Sequence, residues 1–433
     1  MPSVADKIQP ESYGSFNFNA LDVNSKALLN RPTTKKYLFL MTETVLKIID
    51  FPGVDEFIAI RRDIHQHPEL AYEEHRTSAK VADLLCKWGY AVTTNLGGTG
   101  VVGQLVRGDG PAIGLRADMD ALPIHEATGA IWSSKHEGVM HACGHDGHTA
   151  MLLAAAKYLA KEGKFKGTLN VIFQPAEEGG GGALAMMADG LFERFPCDEV
   201  YGMHNMPGYP QGRLLFRHGP MMASSDYATV TLNGVGGHGG LPHRANDPVV
   251  AAASIIMGLQ TLVSRNVDPL HPAVVTVGAV NAGHANNVIP ATATLELSVR
   301  ALDPGARQLL RDRVHALIEG QAQSFGMTTG IDWRPGYAVL VNHDGPTAKA
   351  IDVAVKTFGQ DQVEPNGPML TGSEDFAFML ERVPGCYLLI GNGSGDEAGA
   401  CMVHNPAYDF NDDNIAIGAR YWVALVEELL PLH

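Results

Sequence analysis

From Val54 to Trp88 apolar residues recur at helical spacing, with one interruption at His67-Pro68. A residue before proline is pushed out of the helical region, so two helices are predicted to meet there. Gly100 to Val106 alternates apolar and polar positions as a strand does, and Ala112 to Arg116 reads as a second strand. The alanine- and leucine-rich run Ala150 to Ala160 predicts a buried helix, and Thr168 to Phe173 a short β-branched strand ending at Pro175. Glycines 179–182 predict a flexible loop, Ala183 to Asp189 a further helix, and Tyr201 to His204 a short strand. Strands and helices in alternation predict an α/β fold, with a mainly parallel sheet covered by helices.

After about Met222 the texture changes. Tyr227 to Leu232 reads as a strand, Pro248 to Leu262 as a helix, Val274 to Val280 and Ala291 to Val299 as strands, and Pro304 to Ala322 as a helix. With one more strand before Pro335 this block reads β-α-β-β-α-β, a compact α+β unit with its own apolar faces. Signals of the first type resume at Thr347. The expected organisation is a larger catalytic domain of residues 41–222 and 335–433, split by an inserted satellite domain of 223–334. Residues 1–40 read as a poorly structured extension, because Met41-Thr42-Glu43 resembles a second start.

Length and charge narrow the classes. A chain of 433 residues exceeds one ordinary core, which agrees with two domains. A net charge of −15 without any basic run argues against nucleic acid and anionic membrane surfaces. The N-terminus shows no basic start followed by an apolar block, so no signal peptide is expected, and no stretch reads as a membrane span. Five scattered cysteines imply no disulfide framework and point to a reducing compartment, the cytoplasm.

Candidate chemistry concentrates in Met140 to His148, where Cys143, His141, His145, His148 and Asp146 crowd a turn just before the buried helix. That donor density at a strand-to-helix junction is what a metal site requires. Glu177 and Glu178 follow a strand side by side, so one can hold a metal while the other faces substrate as a proton carrier. His204 ends a strand, His404 lies far downstream in Met402-Val403-His404-Asn405-Pro406, and His238 sits among glycines that permit close approach to a ligand.

Asp118-Met119-Asp120-Ala121-Leu122-Pro123, His141-Ala142-Cys143-Gly144-His145-Asp146, Glu177-Glu178, glycine-flanked His238 and His404-Asn405-Pro406 occur in one order. Together they resemble the M20 family of metal-dependent peptidases and amidohydrolases. Within it the chain is similar to the branch of hippurate hydrolases, N-acyl-amino-acid deacetylases and auxin-conjugate amidohydrolases. The resemblance spans residues 50–430. It implies that Cys143, His145, Glu178, His204 and His404 hold two divalent metals, and that Glu177 is the general base for a metal-bound water. Metal centres in such sites lie about 3.5–4 Å apart.

Related branches have His-x-Asp where this chain has Asp118-Met119-Asp120, so Asp118 and Asp120 are expected to orient ligands by hydrogen bonds instead. The resemblance further implies that His238 binds substrate and stabilises the oxyanion, in some relatives reaching across from a partner subunit. It also implies that Asn287 and Arg300 hold the substrate carboxylate, a task suited to arginine's planar fork. The thiolate favours zinc or cobalt, and the branch is associated with manganese. The expected function is metal-dependent hydrolysis of the amide bond of N-acyl-amino acids, by a homodimer or higher homo-oligomer built through the satellite domain. The alternatives are a dipeptidase or carboxypeptidase using the same site, or a non-catalytic metal-binding protein.

Overall fold

A computed structural model describes residues 51–432, so the expectations for residues 1–40, and those for 41–50, lie outside the described residues. Up to residue 222 the chain forms helices α1 (Val54–Gln66) and α2 (His75–Trp88), strands β1 (Ala91–Leu96), β2 (Gly100–Arg107) and β3 (Ala112–Asp118), helix α3 (His145–Lys161), strand β4 (Gly167–Gln174), helices α4 (Gly182–Ala188) and α5 (Leu191–Arg194), and strands β5 (Glu199–Pro207), β6 (Leu214–Leu215) and β7 (Gly219–Met222). The middle carries β8 (Asp226–Asn233), β9 (Gly237–His238), α6 (Pro248–Asn266), β10 (Ala273–Ala282), β11 (Val288–Ile289), β12 (Thr292–Ala301), α7 (Pro304–Ser324) and β13 (Thr328–Pro335). The chain ends with β14 (Leu340–Asn342), α8 (Asp344–Phe358), β15 (Val363–Glu364), α9 (Phe376–Leu380), β16 (Gly385–Gly393) and α10 (Asn414–Leu429).

The large sheet has eight strands in the order β1-β2-β4-β3-β5-β16-β6-β15. Its centre, β4-β3-β5-β16, is parallel throughout. The β1/β2, β2/β4 and β16/β6 pairs are antiparallel, so the sheet is mixed with a parallel core. Central strands β5 and β16 are buried almost along their whole length, as expected when helices cover both faces. In an open sheet of this kind the carboxyl ends of the parallel strands form the natural crevice. Asp118 ends β3, His204 lies in the last half of β5, and Glu177 follows β4 by three residues.

A second sheet, β10-β12-β8-β13, is antiparallel throughout. Strand β12 alternates strictly: Ala293, Leu295, Leu297, Val299 and Ala301 face inward against α6 and α7. Arg300 therefore lies on the opposite face, beside Tyr227. Both helices begin at an aspartate followed by proline, and Asp247 and Asp303 accept the Val249 and Ala306 amides. By length and composition α6 would suffice to cross a membrane, the one such helix among the described residues. Here Ala251, Ala252, Ile255, Leu259 and Leu262 pack it onto the sheet instead.

Two local readings need correction. Helices α1 and α2 do not meet at His67-Pro68, because residues 67–74 separate them and include a left-handed Tyr72. Strand β1 was not foreseen: its threonines and exposed positions give no apolar alternation.

Helix α3 carries the metal-site motif and is the best-buried helix of the core, with His145 to Ala156 all inaccessible. Small residues let its neighbours close in. A Cβ at Gly147 would sit 2.4 Å from the Phe410 ring. Gly147→Ala is therefore expected to lower stability by about 1–3 kcal/mol through overpacking, read by denaturant unfolding. An unchanged midpoint would show that Phe410 is free to give way.

Candidate metal centre

Gly144 turns the chain into α3 with a left-handed φ of 84°, and a Cβ there would meet the Tyr408 hydroxyl at 2.3 Å and Asn205 at 2.4 Å. This tight turn delivers Cys143 and His145 to the strand ends. Asn205 holds it by donating to the Cys143 carbonyl at 2.7 Å while accepting from the Tyr408 hydroxyl at 2.8 Å.

Cys143 Sγ lies 3.3 Å from His204 Nε2, and His404 Nε2 lies 3.1 Å from Glu178 Oε1. Cys143, His145 and His204 form one group of donor atoms within 4.8 Å of each other, Cys143, Glu178 and His404 a second, and His145, Glu177 and Glu178 a third. The structure thus brings all five residues expected to bind metal, together with Glu177, into one overlapping cluster. Imidazole orientation is set from behind. His204 Nδ1 donates to the Asn205 carbonyl, and His145 Nδ1 donates to Asp120 Oδ1 at 3.1 Å. Each ring therefore turns Nε2 toward the cluster.

The donors fit a divalent metal. His145 Nε2 is buried without a hydrogen-bond partner, a costly state that a cation would relieve. Burial, with Glu178 and Glu177 close by, pushes the Cys143 thiol well above its usual range. Burial likewise holds the Glu177 carboxyl well above its range, reinforced by Glu374 and Glu178. Such crowding of acidic groups calls for a cation, and a thiol-imidazole-carboxylate set can coordinate a divalent one.

Asp118 and Asp120 lie immediately behind the donors. Asp120 also accepts the Glu178 backbone amide at 2.9 Å, so one carboxylate aligns two donor residues. Asp118 accepts from His148 Nδ1 at 2.6 Å and from Arg116 at 2.8 Å. His148 accepts the Asn205 amide through Nε2 at 2.9 Å and so links β3 to β5.

Sequence reasoning did not find several supporting groups. Buried Arg116 pairs with Asp118, Glu374 and Asp375, although burial opposes its charge. Buried Glu74 accepts the amide of Ala176, whose left-handed φ of 53° aims the Glu177-Glu178 turn. The Tyr337 hydroxyl donates to the Glu177 carbonyl and accepts the Gly181 amide at 3.2 Å. A charged residue inside strand β3, two positions before Asp118, was the available signal for Arg116.

The donors open into a cavity of about 660 Å³. Arg300 lines it, donating to Ser373 Oγ at 3.2 Å. His238 and Asn287 do not line it. They sit exposed on paired strand β9 and the turn before β11, where the Asn287 carbonyl accepts the Gly239 amide at 2.8 Å.

Fold and site together define a metal-dependent hydrolase built at the strand ends of an α/β sheet. Residues 114–428 match Peptidase family M20/M25/M40, and the chain belongs to that family. It is 46% identical over 385 residues to a hippurate hydrolase of Campylobacter jejuni, covering 89% of this chain and 98% of that protein. It is 41% identical over 371 residues to an N-acetyl-L-cysteine deacetylase of Bacillus subtilis, covering 85% and 86% respectively. A solved structure of a Bacillus subtilis dinuclear metal-binding peptidase from the M20 family matches at TM-score 0.76 and 32% identity, over 88% of this chain and 99% of that one.

Because Asp120 holds both His145 and Glu178, Asp120→Asn is expected to weaken divalent-metal binding roughly 10–100-fold, measured by titration of metal-stripped protein. Affinity equal to that of the parent would remove Asp120 from ligand alignment.

Proposed function

We propose that the chain hydrolyses the amide bond between an acyl group and the nitrogen of an amino acid, releasing a carboxylic acid and the free amino acid. The observation that carries this reading is the convergence of Cys143, His145, Glu178, His204 and His404 around an unpartnered His145 Nε2, with buried Glu177 alongside. Two divalent metals held by those five residues would polarise the scissile carbonyl and acidify the attacking water. The thiolate favours zinc or cobalt, with manganese the further candidate.

Glu177 is the proton carrier. Its carboxylate takes a proton from the attacking water and returns it to the departing nitrogen, which must leave as an amine. Tyr337 and Glu74 keep its turn in place through the Glu177 carbonyl and the Ala176 amide. Arg300, on the cavity wall with Ser373, receives the substrate carboxylate. Met206, Met222, Leu370, Leu389 and Met402 give the cavity an apolar side suited to the acyl group.

An acyl substrate is favoured over a dipeptide with a free amino group by the carboxylates present. Among the described lining residues these are Glu177, Glu178 and Glu374. Glu178 belongs to the donor cluster, and Glu374 is engaged by Arg116 and Tyr387. None is left to receive a substrate ammonium.

Exposed His238 and Asn287 fit a site completed by a second copy of the chain. Exposed Val235, Leu241, Val249, Val280 and Val288 all come from the same 223–334 segment, which supplies apolar area for self-association. In this reading 223–334 is the satellite and dimerisation domain, inserted in a catalytic domain of 41–222 and 335–433. All five cysteines are free, which supports a cytoplasmic setting.

Glu177→Gln is expected to lower hydrolysis of N-benzoyl- or N-acetyl-amino acids by about 10²–10⁴-fold while metal content stays at the parent value. Near-parental turnover would exclude Glu177 as the proton carrier. Coexpression of Glu177→Ala and His238→Ala chains is expected to restore activity that neither variant shows alone. Mixed oligomers without recovered turnover would place His238 outside a shared site.

A further inference from the structure

Arg61 lies on α1, outside the donor cluster, and is wholly buried. Its Nε sits 2.7 Å from Asp146 Oδ2, Nη2 contacts the Asp409 carboxylate, and Nη1 lies 3.4 Å from Asp412 Oδ1. One turn along α1, His65 places Nδ1 2.8 Å from the same Asp146 oxygen and Nε2 3.4 Å from Glu126. Burial opposes charge on His65, but Asp146 beside it raises its pKa to about 9. Two cations from one helix therefore face these carboxylates.

Where the carboxylates sit in the chain gives the arrangement its meaning. Asp146 directly follows His145 at the start of α3, and Asp409 follows His404 by five residues. Arg61 thus bridges two segments, distant in sequence, that both supply donors to the cluster. His404 is the donor that burial restrains least: its side chain is 51% exposed, against 0% for His145 and 13% for Glu178. Its backbone is left-handed at φ 63°, a conformation uncommon outside glycine.

The place of His404 accordingly depends on tethers along residues 404–412. Its own amide donates to the Ala142 carbonyl at 2.7 Å, and the Ala127 amide donates to the Pro406 carbonyl at 2.7 Å. The rest hold the far end. Trp132 Nε1 donates to Asp409 Oδ2 at 3.2 Å, the Arg62 guanidinium stacks on Trp132 at 3.7 Å, and Arg62 pairs with Asp412 at 2.7 Å. Arg61 is the group among these that also grips the Cys143-to-His148 segment, through Asp146.

We propose that Arg61 is a positioning residue for the metal centre, locking the His404 segment to the Cys143–His145 segment so that the ion held by His404 and Glu178 finds a preformed site. The inference rests on the two-metal reading above. A residue that merely stabilised the fold would loosen both metal positions together. A positioning residue acts on one, because His145 and His204 keep their own anchors on Asp120 and Asn205.

The test is titration of metal-stripped full-length protein with cobalt(II), following heat and visible absorption, for the parent, Arg61→Lys and Asp409→Asn. Asp409→Asn is the decisive variant if Arg61→Lys does not fold, since the Asp409 side chain is 27% exposed and tolerates neutralisation better. The parent is expected to take up two equivalents. The variants are expected to bind one equivalent with parental affinity and spectrum, and the other at least about tenfold more weakly. Parental affinity for both equivalents in a folded Asp409→Asn variant would overturn the proposal, as would equal weakening of both. A parent that binds fewer than two equivalents would overturn the two-metal reading itself, a result distinguishable from either.

Discussion

A buried imidazole nitrogen with nothing to bond, His145 Nε2, sets the terms for everything around it. It faces the buried Cys143 thiol and Glu177 carboxyl, with the half-buried Glu178 beside them. Like charges so close cannot all ionise without a counter-charge. The fold does supply buried cations, but spends them one layer back. Arg116 is occupied by Asp118, Glu374 and Asp375, and Arg61 by Asp146, Asp409 and Asp412. Both guanidiniums are taken up by these supporting carboxylates, so neither offers a counter-charge to the donor cluster.

The architecture explains why these residues can be held so closely. Parallel strands β3, β4 and β5 deliver Asp118, the Glu177 turn and His204 to the same end of the sheet, and α3 starts there at His145, just past the Gly144 turn that carries Cys143. The strands set the spacing, while Cys143, Glu177, Glu178 and His404 come from the turns and loops at their ends. The outward face of the small sheet then provides a wall with Arg300 and Tyr227, so the cavity is lined by both sheets' segments.

Much of this was legible in the sequence wherever one physical pattern dominated. The alternation along Thr292 to Ala301 and the proline-started helices at 248 and 304 mark the small sheet and its helices because one face of each is apolar. The short strands β6, β7, β14 and β15 carry too few residues for any period to register. The donor residues were recognisable by type and by resemblance. Of their supports only Asp118 and Asp120 were, because Arg116 meets Glu374 across 258 positions and Glu74 meets Ala176 across 102. Local pattern carries no signal for such pairs. His148 reads as a spare histidine until Asp118 and Asn205 are seen on its two nitrogens.

The most direct test of the central claim is to strip the protein of metal and measure free amino acid released from N-acetyl-amino acids, N-benzoyl-amino acids and dipeptides, with zinc, cobalt or manganese restored in turn. The account predicts no turnover without metal and metal-restored cleavage of the acyl-amino acids in preference to dipeptides. Turnover that survives complete metal removal, or restored activity confined to dipeptides, would contradict it.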